Sequence, residues 1–414
     1  MPIRLLHLAD LHLGVENYGR PDPQRGLNSR VGDFLRCLDA AVERAREADL
    51  ALIAGDIYKT CHPTPTVQRE FADRIKRLVR QCPVFIVTGN HDVPNAAERA
   101  SSVDIFSTLE VPGVAVERLW GVHRIETAAG PVQVAAQAFL PESKLKAGEA
   151  FKGLSIDETR QKMEEILCNN IRGMADEVER KAPELPTILA CHYTVGGAQL
   201  GGYSGRTLFM NEIQIPLSVV AQPAFDYVAL GHIHQHQDLN RGAQPPVVYP
   251  GSIERVDFSE EKEERGFVLA EVSPGHTTWE HIPTPSRPFL TIRAELAGEE
   301  PTEELLAAIA PYAPAIAEAI VRIVYTLPDG KLPLREAEVR AALKEAAFLA
   351  GIRRETARRE ARERNTRLTT QLPPLEALKE YLTARPDLKD RTEELLEYAR
   401  PLIEAVSGQP SAVS

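Results

Sequence analysis

The sequence of 414 residues has little that would take the chain into a membrane. No run approaches the ~18 consecutive apolar residues that a membrane-spanning helix requires. The amino-terminal stretch is apolar only until His7 and Asp10 interrupt it, which is atypical of a secretory signal peptide. We therefore expect a soluble, cytoplasmic protein with no membrane partner.

Cysteine is scarce as well. The five cysteines are scattered, odd in number and contain no C-x-x-C pair. This pattern excludes a fully paired disulfide framework and a zinc site built from thiolate pairs. It is typical of a protein from a reducing compartment.

An excess of positive charge is also missing, since the formal net charge is -11 at pH 7. A generally basic coat for nucleic acid is therefore excluded. Cations can still cluster locally, and bound metal ions would add positive potential that composition does not count. The length suits roughly two or three globular domains.

Residues 3 to about 282 alternate short apolar runs with segments of helical spacing. Apolar runs of strand length occupy residues 3–8, 50–54 and 84–88, and helical spacing occupies residues 31–48 and 66–80 between them. This alternation predicts a layered α/β domain with buried strands. Further strands are predicted at residues 132–136, 187–191, 227–230, 247–249, 267–271 and 278–282, and a further helix at about residues 155–172.

Three prolines within residues 282–288 mark the best domain boundary. It separates a first domain, residues 1–282, from a small α+β domain at residues 283–352. Residues 353–406 are predicted to form a basic linker and a helical tail, and residues 407–414 to be disordered.

The linker has an unusual charge. Residues 353–367 hold seven arginines against three glutamates, which indicates either a solvated helix face or a tether near DNA or near an acidic partner surface. Each of the two helical patterns that follow carries its apolar side chains on one face. These helices could fold back on their own core, but beyond a tether we expect them to dock on another protein.

Five short segments with metal-binding side chains each follow a predicted strand directly. Two of them place polar residues at positions i and i+2, which point to the same side of an extended chain. Ligands bind at the carboxyl ends of strands in open α/β sheets. Singly, each segment is as well explained by a turn or a satisfied buried histidine, but the ordered set predicts a metal site. The segments are Asp10-Leu11-His12, Gly55-Asp56, Gly89-Asn90-His91-Asp92, Cys191-His192 and Gly231-His232-Ile233-His234.

These residue types fit hydrolysis of a phosphodiester with two divalent cations. One carboxylate must bridge the cations, and Asp56 is the candidate, while imidazole nitrogens and one amide oxygen complete the ligand sets. If Asp10 and Asp56 are the only carboxylate ligands, a residual charge of about +2 attracts phosphate. His91 comes straight after a ligand candidate, so we expect it to face the substrate and to protonate the leaving oxygen or stabilise the transition state. Asp92 either orients His91 or caps a helix or turn.

This ordered set resembles that of the calcineurin-like metallophosphoesterases, over residues 3 to about 282. The resemblance implies a layered β-sandwich flanked by helices, with Mn²⁺ as the metal that the mixed oxygen and nitrogen ligands favour. It implies His91 as the catalytic histidine. It also implies one metal bound by Asp10, His12, Asp56 and His234, and a second bound by Asp56, Asn90, His192 and His232.

Three stretches narrow the resemblance to nuclease subunits that work with an ATPase on DNA double-strand breaks. This implies manganese-dependent 3′→5′ exonuclease and single-strand endonuclease activity, and a homodimer formed near the first helices. It also implies a DNA-capping domain at about residues 289–352 and tail helices that bind the root of the ATPase coiled coil. The stretches are GLNSRVGDF at 26–34, ACHYTVGG at 190–197 and YPGSIERVDF at 249–258.

Other functions stay open at this point. The second motif lacks the Gly-Asp-x-x-Asp-Arg-Gly of protein phosphatases, which argues against a phosphoprotein substrate. A stand-alone enzyme for nucleotides or small phosphodiesters is an alternative, although it would need neither a cap nor a tail beyond residue 282. A scaffold whose site only senses metal is a third hypothesis.

Overall fold

The computed structural model describes residues 2–24, 26–94, 99–146, 151, 153–199, 212–328, 330–355, 374–383, 388 and 391–407. Residues 356–373, which include most of the predicted basic linker, and residues 408–414 of the segment predicted to be disordered lie outside this description. The chain forms two compact units. The larger comprises Met1–Ala294, Gly298–Val324 and Leu332–Arg353, and the smaller comprises Glu295–Ala297, Tyr325–Lys331 and Arg354–Ser414.

The strands, in chain order, are β1 (Ile3–Leu8), β2 (Pro21–Asp22), β3 (Leu27–Asn28), β4 (Leu50–Ala54), β5 (Val84–Val87), β6 (Val114–Glu117), β7 (Trp120–Thr127), β8 (Gly130–Gln137), β9 (Thr187–His192), β10 (Thr194–Val195), β11 (Gln214–Ile215), β12 (Tyr227–Gly231), β13 (Gln237–Asp238), β14 (Val247–Tyr249), β15 (Gly266–Ser273), β16 (His276–Pro283), β17 (Phe289–Glu295), β18 (Ile320–Thr326) and β19 (Phe348–Glu355). The helices are α1 (Ser29–Arg44), α2 (Pro65–Leu78), α3 (Asp104–Thr108), α4 (Glu142–Leu145), α5 (Ile156–Lys181), α6 (Leu217–Val220), α7 (Pro301–Ile309), α8 (Ala313–Ile316), α9 (Glu336–Ala342), α10 (Pro374–Thr383) and α11 (Thr392–Ser407).

Capping residues set the starts of the long helices. The side chains of Asn28 and Thr64 accept backbone hydrogen bonds at the amino ends of α1 and α2. Ser155 and Glu158 form a capping box at the start of α5, in which each side chain binds the backbone N–H of the other residue. Each helix therefore begins where its own sequence satisfies the free N–H groups of the first turn.

Two six-stranded sheets form the centre of the larger unit. Their strand orders are β16-β15-β1-β4-β5-β6 and β13-β14-β12-β9-β8-β7. In the first sheet β1, β4 and β5 run parallel, and in the second β8, β9 and β12 do. The parallel strands end together, so the segments that follow them in the sequence meet at one edge.

Three hydrophobic cores define the layers. Alternate side chains of each central strand, such as Leu52 of β4 and Ile188 of β9, pack together between the sheets. The intervening side chains face outward, where Ile53 packs with α1 and α2 and Leu189 packs with α5. Because both faces of these strands are buried, their sequences are apolar throughout. The predicted α/β fold, a layered β-sandwich flanked by helices, is confirmed.

Some elements differ from the sequence-based prediction. Helix α5 continues beyond residue 172, because buried positions recur at Met174 and Val178. Strands β6 and β7 were not predicted. β7 is an edge strand whose side chains are half-buried or exposed along its length, so it lacks an apolar pattern.

Beyond residue 288, strands and helices occur close to their predicted positions. β17, β18 and β19 form a three-stranded sheet in that order, and α10 and α11 cover the predicted helical tail. The domain limits at 282 and 352 and the capping role stay predictions. Among the described residues, no helix combines the length and the apolar character that crossing a membrane would require.

His7 is a fully buried histidine within β1. Its Nε2 lies 3.1 Å from the Leu230 carbonyl oxygen and its Nδ1 lies 3.0 Å from the Tyr227 hydroxyl. These contacts suit a neutral ring that donates to the carbonyl and accepts from the hydroxyl. Burial lowers the pKa of His7 to about 3.

Replacing His7 with Gln is expected to weaken the acid dependence of stability. In the unfolded chain His7 binds a proton below its ordinary pKa of 6.5, whereas in the folded chain it does so only below about 3. The contribution of His7 to stability is therefore complete above pH 6.5. It is lost as the pH falls through the window from 6.5 to about 3. Within that window His7 alone should lower the free energy of unfolding by about 1.4 kcal/mol per pH unit.

Urea unfolding at a series of pH values measures this slope. His7→Gln should reduce the slope, while the variant His276→Gln, at an exposed position, should keep that of the wild type. Equal slopes for the wild type and His7→Gln would contradict the expected role of His7.

Candidate metal centre

The polar segments predicted as a metal site meet at one edge of the sandwich. Each follows a parallel strand of one of the two sheets: Asp10 and His12 follow β1, Asp56 follows β4, Asn90, His91 and Asp92 follow β5, His192 ends β9, and His232 and His234 follow β12. Their ligand atoms form three overlapping groups: Asp10, His12 and His234; His12, Asp56 and His91; and Asp56, His192 and His232. Both sheets therefore contribute to one site.

Four of these residues hold the backbone in a left-handed conformation that side chains rarely adopt. The φ angles of Asp10, His12 and Asp56 are 52°, 42° and 52°, and that of His232 is 101°. Such conformations cost on the order of 1–3 kcal/mol each and concentrate at functional sites. Hydrogen bonds from backbone N–H groups hold these turns, among them His12 N–H to the Asp56 carbonyl oxygen and His232 N–H to Oδ1 of Asp10, both at 3.0 Å.

Glycines allow the strand ends to approach closely. A Cβ atom on Gly89 would lie 2.2 Å from Oδ1 of Asp56, and one on Gly231 would lie 1.9 Å from the carbonyl oxygen of Ala54. Neither space could hold a side chain. Gly231 thus lets β12 of the second sheet reach β4 of the first at the site itself.

The first cluster consists of Asp10, His12 and His234, all of which are buried. The Nε2 atoms of His12 and His234 lie 2.9 Å apart, so both cannot carry a proton at once. Burial, together with the charge of His234, holds the pKa of His12 well below its usual range. A neutral imidazole is the form that binds a metal.

The second cluster consists of Asp56, His192 and His232, joined by Asn90. The side-chain oxygen of Asn90 lies 3.1 Å from Nε2 of His192 and 3.0 Å from Nδ1 of His232. Nδ1 of His192 lies 2.7 Å from the Ala54 carbonyl oxygen and donates to it. Although burial opposes the charge, the Asp56 carboxylate raises the pKa of His192 to about 9. A cation bound here would therefore displace a proton from Nε2.

Asp56 belongs to the second cluster and also approaches the first. Its Oδ1 is 3.3 Å from Nε2 of His192, and its Oδ2 is 3.7 Å from Nε2 of His12. Burial disfavours its charge, but His192 and His12 hold the pKa of Asp56 well below its usual range. An ionised carboxylate with one oxygen toward each cluster is the arrangement that a bridging ligand requires.

Glu260 contacts the first cluster and was not found from the sequence. Its Oε1 lies 2.7 Å from Nδ1 of His234, so that ring donates its outer proton and keeps Nε2 for the site. Glu260 is fully buried. Its Oε2 accepts from the Val256 backbone at 2.7 Å and lies 3.3 Å from Arg265. The position just after the 249–258 stretch is the only sequence signal, because a carboxylate that acts through a hydrogen bond has no fixed spacing from the ligand.

Glu212 has the corresponding position at the second cluster. Its Oε2 lies 3.0 Å from Nε2 of His232, which leaves Nδ1 directed at Asn90. The Glu212 side chain is 36% exposed, whereas that of Glu260 is fully buried. The two histidines of the Gly-His-Ile-His segment therefore each have a carboxylate on the outer ring nitrogen, one rigidly enclosed and one near the surface.

His91 lies on the open side of the clusters, with a side chain that is 35% exposed. Its Nδ1 lies 2.8 Å from the Lys59 carbonyl oxygen and donates to it. Its Nε2 lies 4.0 Å from Oδ2 of Asp56. The ring is thus fixed by a backbone carbonyl that no motif marks, and its second nitrogen faces the site.

Asp92 does not orient His91, and that hypothesis is wrong. Both of its oxygens accept backbone hydrogen bonds, from Ile57 at 3.2 Å, Tyr58 at 3.1 Å and Gly89 at 2.9 Å. Asp92 is buried, and these bonds join the turn after β4 to the turn after β5. The alternative hypothesis, a carboxylate that caps turns, matches this geometry.

Comparison with known proteins agrees with the geometry. The model of the calcineurin-like phosphoesterase family matches residues 3–236, more than half of the chain, and the chain belongs to this family. The SbcD subunit of the nuclease SbcCD from Rhodobacter capsulatus is 29% identical over 326 residues, which cover 74% of this chain and 75% of that protein. The SbcD subunit from Bacillus subtilis is 26% identical, over 68% of this chain and 69% of its own length. The DNA double-strand break repair protein Mre11 of Methanosarcina mazei is 25% identical, over 77% of this chain but 44% of its own length.

The predicted family is confirmed, and the chain is a metal-dependent phosphoesterase. The site has the donor set that two divalent cations need: two carboxylates, one amide oxygen and four imidazoles, grouped around a shared Asp56. None of these donors is sulfur. The site therefore takes two divalent cations.

Substitution of Glu260 by Gln is expected to weaken divalent-cation binding at the first cluster about 10- to 100-fold. The amide can no longer accept strongly from His234, so the tautomer that presents Nε2 to the cation loses its support. Isothermal titration of the metal-free protein with Mn²⁺ measures the affinity.

Glu263→Gln is the matched control, because Glu263 contacts the same Arg265, at 2.6 Å. It should retain the wild-type affinity. Unchanged Mn²⁺ binding in Glu260→Gln would show that the Glu260–His234 contact is structural only.

Proposed function

We propose that the chain is a two-metal DNA nuclease subunit that processes DNA breaks together with an SbcC-type ATPase. The observation that carries this proposal is the pair of clusters that share Asp56, with His91 on their open side. The names of the relatives support DNA as the substrate, since they include nuclease subunits and a double-strand break repair protein. The activities proposed are 3′→5′ exonuclease and endonuclease on single strands and hairpins.

The proposed mechanism assigns separate roles to the ligand residues and to His91. When bound, the two cations supply Lewis acidity and positive charge for phosphodiester hydrolysis. Asp10, His12 and His234 would hold one cation, Asn90, His192 and His232 would hold the other, and Asp56 would be shared by both.

His91 acts on the substrate in this scheme. Its Nδ1–H donates to the Lys59 carbonyl oxygen, so a second proton at Nε2 makes the ring a cation. That Nε2–H can donate to the leaving oxygen or to charge on the phosphoryl group. The fixed ring direction limits the loss of side-chain freedom at this step.

Each finer assignment rests on its own observation. Mn²⁺ suits a donor set of oxygen and imidazole nitrogen without sulfur. Tail helices that bind the ATPase are supported by the aromatic side chains they expose, since Tyr381 of α10 is 46% and Tyr398 of α11 is 76% exposed. The homodimer near α1 and α2 and the capping role of residues 289–352 rest on the family resemblance. A cytoplasmic location is favoured by the free cysteines.

His91→Ala should slow cleavage of an end-labelled DNA hairpin with Mn²⁺ by about 10²- to 10⁴-fold, because the variant lacks a proton donor at the leaving oxygen. Mn²⁺ binding by titration calorimetry should persist. His276→Ala, at an exposed position on β16, should cleave like the wild type. Cleavage retained in His91→Ala would remove the catalytic assignment.

The same preparation can distinguish the alternative function. A DNA nuclease should prefer the hairpin to cyclic nucleotides and should gain activity when the ATPase and ATP are added. High turnover of cyclic or mononucleotides without any gain from the ATPase would favour a stand-alone phosphodiesterase.

A further inference from the structure

A cavity of about 230 Å³ opens directly beside the second cluster. Asn90 and His232 of the second cluster line it, together with a group of apolar side chains. Those side chains come from the turn after β8, from α5 and from the connection between β9 and β10. They are Phe139, Leu140, Met163 and Tyr193, and Ile213 adds a fifth from the segment just before β11.

Part of this apolar lining is held in place by ring stacking and hydrogen bonds. The rings of Phe139 and Tyr193 are stacked, with centroids 5.4 Å apart and an angle of 29° between their planes. The Tyr193 hydroxyl accepts from the Leu140 backbone at 2.8 Å, and the Phe139 backbone donates to Thr88 at 3.0 Å. Tyr193 is buried, whereas Phe139 is half-buried, so Phe139 retains accessible ring surface.

The charge of the cavity argues against a phosphate as its occupant. Its described lining contains no lysine or arginine but includes Glu142 and Glu212. Glu142 is paired with Lys146 at 2.6 Å, but the Glu212 carboxylate beside His232 disfavours phosphate. A lining of apolar side chains with a few polar groups suits a neutral molecule with an apolar face and hydrogen-bonding edges. Because Asn90 and His232 also belong to the second cluster, an occupant of the cavity lies directly beside the cation site.

We propose that this cavity is a nucleobase subsite. It takes the base of the nucleotide whose phosphodiester lies at the metal centre, with the base stacked on Phe139. Every base has an aromatic face, so this contact favours nucleic acid over other phosphodiesters without selecting a sequence. The proposal rests on the proposed DNA nuclease function and adds to it a contact that holds the scissile nucleotide.

The test compares single-stranded oligonucleotides that differ at one position, where one has a base and the other a tetrahydrofuran abasic residue. With Mn²⁺, the wild type should cut the bond next to the abasic residue about tenfold more slowly than the same bond in the base-bearing strand. Phe139→Ala should slow only the base-bearing strand and so bring this ratio close to one. Gel mapping of the cleaved bonds gives both rates.

Two controls keep the outcomes distinct. Trp120→Ala removes a 46%-exposed aromatic residue that does not line the cavity, and it should keep the wild-type ratio. Phe139→Tyr preserves the ring and should keep it too. Equal cleavage of both strands by the wild type, or an equal loss on both strands in Phe139→Ala, would overturn the subsite. No cleavage of either strand by the wild type would instead contradict the proposed nuclease function.

Discussion

The site depends on one carboxylate that lies between two histidine clusters. Asp56 can present one oxygen to His12 and the other to His192 only because strands from both sheets end at the same edge. Gly231 makes that possible, since a side chain there would collide with the Ala54 carbonyl oxygen and hold β12 away from β4. The packing distance between the two sheets therefore also sets the separation of the two clusters.

The strained backbone of the site follows from the same constraint. Asp10, His12 and Asp56 leave their strands in left-handed conformations, which turn each side chain toward the partner sheet. The buried strands behind them supply the stability that offsets this strain, because both of their faces pack in hydrophobic cores. Asp92 contributes by joining the two turns that follow β4 and β5. Asp92 therefore holds these two turns in position, although it is adjacent to His91 in the sequence.

Local patterns predicted much of this arrangement, and the misses have two causes. Apolar runs marked the central strands because both faces are buried, and the motifs after them followed from strand ends. β7 escaped prediction because an edge strand carries no such pattern. Glu260, Glu212 and the Lys59 carbonyl also escaped, since each meets its histidine through a hydrogen bond between distant segments. Spacing along the chain can identify ligands that share a turn, but it does not mark the groups that orient those ligands.

The two carboxylates behind the histidines make the clusters unequal. Glu260 is enclosed with Arg265 and a backbone N–H, so the His234 ring has one accessible arrangement. Glu212 is partly exposed and also lines the cavity beside Phe139. An occupant of that cavity would lie against the same carboxylate that orients His232. An occupant of the cavity would therefore act on the orientation of His232 in the second cluster, whereas Glu260 and His234 of the first cluster do not line that cavity.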